Sequence, residues 1–493
     1  MRYKMFFAGA IFFAAAAITA AQFSAPTIFD ADGYLHIRMS DFIRHYGLRY
    51  DFHWARYSLF AQHFADKDFL YHVITIPFTY FSNIYFGAKI AAVLFSFFLL
   101  FVFTRTLKRY CLKWLVPVYL LALLLAGPFF QLLCRVRPMV FMIALTILFI
   151  HFLIVKNRWG LFFTTLVYAL SHVSSPLLLV FVLITETVRY VNEKEFSRKN
   201  LLIVSGALCL GFLIHPNFPN NLAVFYYNGI WVPIYAMKWG LELGAEFFPI
   251  DTRDFIIKYP LVVSAVVLFA IAAASSGNRI KVSTKMWLAN AGFFFVLSYF
   301  SRRYIDHLYP LLLIASGAYL TDWWNSHPDY AGKWALMKKT RVVLFSALAV
   351  FFIFLGSNVY KGFKTFAQAE YVWARHYENV AKWMRLNVPA GQTIFHTNWS
   401  DSQYLIGLNP NNDYFVTFDP IYMFKWNPKK YALYREISFG NSKDPYTSMK
   451  EEFDVTYGYA GKNYFAALIE QIRNDSRFQV MAEDNLGLIF RLR

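Results

Sequence analysis

The chain has three cysteines in 493 residues, few charged residues (16%), and only 30 acids against 48 lysines and arginines. Each shortage excludes something. Cys111, Cys134 and Cys209 are too few and too scattered to imply a disulfide framework. No Gly-rich dinucleotide fingerprint, phosphate-binding loop, zinc-ligand spacing or internal repeat occurs, which removes the nucleotide-binding, zinc-module and solenoid classes. The formal charge of +18 would suit a nucleic-acid binder, yet no nucleic-acid motif accompanies it.

Apolar residues fill the chain instead: 58% are hydrophobic and 20% aromatic, with a positive mean hydropathy. One soluble core cannot absorb that much apolar surface, so most of it faces lipid. Apolar runs at 5–22, 84–104, 113–130, 138–155, 159–173, 176–190, 201–215, 257–274, 286–300, 308–321 and 342–356 predict a polytopic α-helical membrane protein of about eleven transmembrane helices. A cytoplasmic N-terminus puts six basic clusters inside: Arg2 and Lys4; Arg105, Lys108, Arg109 and Lys113; Lys156 and Arg158; Arg189, Lys194, Arg198 and Lys199; Arg279, Lys281 and Lys285; Lys333, Lys338, Lys339 and Arg341. Every predicted inside segment is basic, as the positive-inside rule requires, and residues 357–493 fall outside. A multi-pass protein of a bacterial inner membrane is expected, its C-terminal domain periplasmic or extracellular. The basic start, apolar run and small residues at Ala20-Ala21 also resemble a signal peptide; an uncleaved anchor is preferred, and either leaves Asp30 outside.

The outward helix ends carry the chemistry. Phe29-Asp30-Ala31-Asp32-Gly33-Tyr34-Leu35-His36 sets two carboxylates and a histidine where the chain has just crossed the bilayer, a costly place for charge unless it is solvated, paired or metal-bound. Asp32 reads as a helix cap and Asp30 as the reactive acid. Other outward ends carry Arg135 and Arg137, His172, His215, and Ser301-Arg302-Arg303-Tyr304-Ile305-Asp306-His307. These arginines run against the topology rule, and their planar forks suit phosphate.

Two outer loops join the bundle, 23–83 and 216–256, giving a membrane region of 1–356 and an outer domain of 357–493. Within the first loop, Gly33 to Tyr46 reads as a helix lying along the interface, and Asp66-Lys67-Asp68 with Tyr71-His72 as a solvated turn. The second loop carries Glu242, Glu246, Asp251 and Asp254, either joining the site or merely solvated. After 356 a helix (Ala367–Asn387) and short strands at Thr393–His396, Asp413–Phe418, Phe453–Tyr457, Phe478–Ala482 and Leu486–Leu492 predict an extracytoplasmic α/β domain. Its distinctive string is Asn398-Trp399-Ser400-Asp401-Ser402-Gln403-Tyr404.

The anchor, the loop opening Phe29-Asp30-Ala31-Asp32-Gly33-Tyr34, the interfacial helix, the many-span bundle and the outer α/β domain together resemble the GT-C superfamily of polyprenyl-linked sugar glycosyltransferases. The oligosaccharyltransferase catalytic subunit and its bacterial relatives are nearest in pattern. The architecture covers the whole chain; local likeness is confined to about residues 28–83 and 395–405. In that family the first-loop acid contacts a divalent metal (Mg or Mn) or activates the acceptor, which maps onto Asp30 or Asp32. The resemblance implies acceptor contacts at His36, Trp399 and Asp401, but Trp399-Ser400-Asp401-Ser402-Gln403 keeps only the Trp and Asp of the family's Trp-Trp-Asp-Tyr-Gly string. Where oligosaccharyltransferases carry second-loop acids, residues 128–138 offer Arg135 and Arg137. The implied enzyme holds a donor phosphate with Arg135, Arg137, Arg302, Arg303, His172 and His215, uses a carboxylate base, and has no obligatory metal.

The partners implied are a polyprenyl-linked sugar donor, a glycan, lipid or protein acceptor, and membrane lipid. A multi-pass transporter or lipid-linked glycan flippase using Glu186 and Arg189 is the alternative, although inverted-repeat signals are absent; a non-catalytic envelope assembly protein is a third class. The sidedness is testable. Cysteines replacing Gly391 and Asn441 are expected to react with an impermeant thiol reagent from outside, and one replacing Ser276 to be protected. Outside labelling of the Ser276 position alone would reverse the topology.

Overall fold

The computed structural model describes residues 2–235, 238, 240–274, 280–328 and 338–493. Arg279, Ser276 and Lys333 lie outside the described residues. The chain divides into two compact units, one of Met1–Ser24, Lys89–Gly211 and Gly244–Gln368, the other of Ala25–Ala88, Phe212–Leu243 and Ala369–Arg493. The first outer loop and much of the second thus belong with the C-terminal residues rather than with the bundle.

The first unit is helical. Among the described residues three helices are long and apolar enough to cross a membrane, Tyr3–Gln22, Ile84–Tyr110 and Val342–Asn387, with Leu115–Leu123 and Gly127–Leu133, bent by 82°, forming a fourth span if taken together. The bend falls at Gly127-Pro128, where proline removes a backbone donor. Several of the other predicted spans are helices too short to cross unaided. Arg158–Ser171, for instance, has 14 residues, begins on an Asn157 side-chain cap and ends before Ser174-Ser175-Pro176. That is about 21 Å of rise against a hydrocarbon core of about 30 Å. The expected break between 356 and 367 is absent: Lys338–Asn387 is one helix of 50 residues. No proline interrupts it, and Gly356 and Gly362, six residues apart, do not stop a helix.

Glu186 and Arg189, both fully buried, form an ion pair within helix Leu177–Glu193. Arg189 also donates to Leu153 O (2.7 Å), while Glu186 accepts from Ser197 N (2.9 Å) and Asn200 Nδ2 (2.8 Å). These hydrogen bonds tie the pair to neighbouring helices, so it stitches the bundle together instead of offering a transport site.

The second unit centres on a five-stranded sheet in the order β2-β1-β3-β5-β4: β1 Thr393–His396, β2 Asp413–Tyr414, β3 Tyr457–Gly461, β4 Phe478–Glu483 and β5 Gly487–Leu492. β1 runs parallel to β2 and β3, whereas β5 is antiparallel to β3 and β4. Ala55 bridges to Tyr414, so the first outer loop extends the edge. β3 starts four residues later than expected, because β-propensity favours Phe453–Tyr457 while the strand needs Gly458. A Cβ there would lie 2.2 Å from the Phe490 ring.

Helix Ala31–Tyr46 does not lie open along an interface. It buries Tyr34, Leu35, Ile37, Met39 and Phe42 and packs on helix Asp401–Leu408. Gly407 makes that approach feasible: a Cβ would stand 2.7 Å from Tyr34 Cβ and 2.8 Å from its carbonyl carbon. Its own carbonyl accepts from Arg38 Nε (3.0 Å) and the Tyr85 hydroxyl (2.9 Å). Gly407→Ala is expected to cost about 1–3 kcal/mol by overpacking, read as a lowered melting temperature in detergent; an unchanged melt would mean that the two helices part freely.

Candidate functional site

In the first unit, the turn Ser301–Tyr304, the segment Gly244–Phe248 and helix Gly127–Leu133 with its exit at Arg135 surround a cavity of about 760 Å³. Arg135, Arg302, Arg303, Lys258, Glu246 and Asp306 line it, together with Tyr259 and Gln131. The turn is knitted to the segment by Arg302 N to Phe248 O (3.0 Å), Ser301 Oγ to Glu246 O (2.6 Å) and Arg302 Nε to Ala245 O (2.6 Å). Arg303 stands 4.9 Å from the Phe247 ring centre and Arg135 5.3 Å from that of Phe366, contacts that steer the guanidiniums without neutralising them.

Asp306 sits two residues ahead of the apolar stretch 308–321. Burial pushes its carboxyl up to about 7 despite the opposing charges of Arg135, Arg303 and Arg137. A carboxyl half-protonated near neutrality leaves the cavity cationic and able to donate to an anion. The structure thus gathers Arg135, Arg302 and Arg303 around one cavity, with Arg137 close enough for its charge to reach Asp306. His172 is not part of this wall; its Nδ1 lies 2.8 Å from Ser174 Oγ. Sequence reasoning quoted Asp306 without giving it a role and passed over Lys258.

In the second unit Asp30 occupies the cap position of helix Ala31–Tyr46, correcting the expectation that Asp32 caps it. Ile28 and Phe29, both fully buried, fix the chain just ahead, so the helix starts at Ala31 and Asp32 falls in its first turn. Asp30 has φ +83°, costly for a residue with a Cβ, and its side chain makes no capping bond. Its amide donates to Glu370 Oε2 at 2.9 Å. Burial raises the Tyr404 hydroxyl, and Glu370, Asp30, Tyr34 and Asp32 raise it further, so three carboxylates lie within electrostatic reach of one ring. Glu370 was invisible in sequence because it lies in the first turn of the predicted helix Ala367–Asn387, where an acid is unremarkable. Among the described residues no three His, Cys, Asp or Glu side chains converge to hold a metal ion.

His36, one turn beyond Asp32, has Nδ1 2.8 Å from His72 Nε2, and His72 Nδ1 is 2.6 Å from Asp66 Oδ2. His72 and Asp66 are buried, so the solvated turn expected there is instead part of the core. His215 belongs with them and not with the arginines: its Nε2 donates to Asp66 O (3.1 Å) and its Nδ1 accepts from Asn217 N (3.1 Å). Asp401 is also buried. It accepts from the Tyr377 hydroxyl (2.5 Å) and Asn398 N (3.2 Å), and burial pushes its carboxyl up to about 7. It anchors the loop that presents the half-buried Trp399.

No protein-family model matches the chain, and no curated protein matches it by sequence. Solved structures do match by fold. The oligosaccharyltransferase of Archaeoglobus fulgidus superposes with a TM-score of 0.67 at 12% identity, covering 92% of this chain and 69% of that one. ArnT from Cupriavidus metallidurans bound to undecaprenyl phosphate gives 0.56 at 13% identity, covering 98% and 97%. Mycobacterial arabinofuranosyltransferase AftD gives 0.52 at 10% identity, covering 98% and 40%. All three are GT-C glycosyltransferases, and a likeness running through at least 92% of its residues gives this chain a GT-C-like fold.

Proposed function

We infer that the chain is a membrane glycosyltransferase, moving a sugar or glycan from a polyprenyl phosphate or pyrophosphate carrier to an acceptor on the outer face of a bacterial inner membrane. The observation that carries this reading is the cationic cavity of Arg135, Arg302 and Arg303, whose residue types suit a phosphate and whose walls of Leu125, Leu132, Ile257 and Leu355 suit a lipid tail. The neighbours point the same way: ArnT was solved with undecaprenyl phosphate, and the Archaeoglobus enzyme with an inhibitory peptide and a dolichol-phosphate.

Breaking the anomeric C–O bond leaves its electron pair on the phosphate, and the guanidiniums stabilise that growing charge. The acceptor attacks from the opposite face in one displacement, which inverts the anomeric centre, and gives up its proton to a carboxylate. Asp30 is assigned as that base. Its strained backbone is maintained although no capping bond compensates for it, and strain of about 1–3 kcal/mol persists where the surrounding structure imposes it. Asp32 supports the helix start electrostatically, His36 lies on the acceptor side, and Asp401 positions the Trp399 loop for the acceptor.

Asp30→Asn is expected to lower transfer of a labelled sugar from a polyprenyl carrier by about 10²–10⁴-fold while retaining donor binding. Asp32→Asn should keep partial activity, and wild-type transfer by Asp30→Asn would remove the assignment. For the arginines, the double variant Arg302→Gln, Arg303→Gln should lose about 10²-fold or more in kcat with an unchanged melt, since amides are tolerated at this wet turn. Wild-type rate and donor affinity in that variant would return both residues to lipid-headgroup contacts.

A further inference from the structure

Removing a proton from the acceptor raises a question that the carboxylate alone does not answer: where the proton goes before the next turnover. The second unit holds a hydrogen-bonded chain of three side chains that starts one turn beyond Asp32. Asp32 and His36 are four residues apart in helix Ala31–Tyr46 and therefore share a face. From His36 the chain of hydrogen bonds runs 2.8 Å to His72 and 2.6 Å on to Asp66, from a half-buried imidazole to a buried one and then a buried carboxylate.

The far end is built to hold charge. Asp66 Oδ1 accepts from Asp68 N (3.1 Å), its carbonyl accepts from His215 Nε2, and its amide donates to Asn217 Oδ1 (3.1 Å). Burial drives His72 toward its neutral form, but the charge and hydrogen bond of Asp66, helped by Asp68, outweigh burial and the opposing Lys67, and raise its pKa. Burial likewise works against the Asp66 carboxylate and is outweighed by His72. Two bare buried ionisable groups would be costly; a hydrogen-bonded pair is tolerated. With Asp66 holding a proton on His72 Nδ1, neutral His72 presents Nε2 as an acceptor, so His36 donates from Nδ1 and its basic lone pair is on Nε2.

We propose that His36, His72 and Asp66 form a proton relay that drains the acceptor's proton from the carboxylates at the helix start. The inference rests on the transferase reading above. In the balanced step, the acceptor's O–H or N–H bond breaks and its proton goes to the carboxylate. The new anomeric bond forms as the bond to the carrier phosphate breaks, its electron pair leaving with the phosphate. The carboxylic acid then passes its proton to His36 Nε2, the Nδ1 proton of His36 passes to His72 Nε2, and the resulting imidazolium rests against Asp66 until the transfer between the two histidines reverses and half-buried His36 releases the proton from Nε2 to water.

The test uses the full-length protein in detergent with a polyprenyl-linked sugar. His36→Ala is expected to lower kcat about 10²-fold with donor KM unchanged, and added imidazoles should restore the rate in proportion to their basicity, which a packing defect would not do. His72→Gln, which keeps hydrogen-bonding groups at that site but cannot carry the proton, should show the same kcat loss with an unchanged melt and no rescue, since its site is sealed. Unchanged kcat in both variants, or a His36→Ala defect indifferent to rescuer basicity, overturns the relay while active wild-type protein keeps the transferase reading. If wild-type protein transfers from no polyprenyl carrier, both fall.

Discussion

A charge withdrawn from water must take a partner with it, and how each buried charge meets that demand separates scaffold from chemistry in this molecule. Glu186 and Arg189 meet it completely, with a carbonyl, an amide and Asn200 filling what the pair leaves over. Nothing remains for a ligand. Around the 760 Å³ cavity the demand is weaker, since Arg302 is exposed and Arg303 half-buried; among the described residues neither forms an ion pair within 4.0 Å, and they meet a carbonyl and a ring face instead.

The same demand explains which residues the sequence made legible. Outward arginines were conspicuous because they violate a topological rule, so Arg135, Arg302 and Arg303 could be grouped before any geometry was known. Asp66 and His72 violate nothing in sequence: Asp66-Lys67-Asp68 has the composition of a solvated turn, and only the fold reveals that two of its carboxylates are buried against a histidine. Glu370 was hidden for another reason. Its meaning comes from the Asp30 amide 2.9 Å away, a contact across 340 residues that no local pattern encodes.

Elements followed a similar logic. β1 was readable to the residue, because Thr393–His396 is a short β-prone run closed off by the Pro389-Ala390-Gly391 turn before it. β3 was not, since glycine lowers strand propensity and yet is what the Phe490 ring requires at Gly458. Span counting from composition is less direct: apolar composition says that a helix prefers lipid or core, not that it is long enough to cross. Helices of 14–17 residues, such as Arg158–Ser171 and Val282–Ser298, satisfy the composition rule without the length.

Fold likeness at 10–13% identity constrains architecture and leaves the chemistry to individual side chains. Here the decisive local fact is Asp30. A capping aspartate ordinarily bonds the first free amides of its helix and adopts an extended backbone. Asp30 does neither, holding φ at +83° with its amide tied to a glutamate. Stability alone would favour glycine at such a backbone angle, or a serine that caps. Helix capping therefore does not account for the acid at this position.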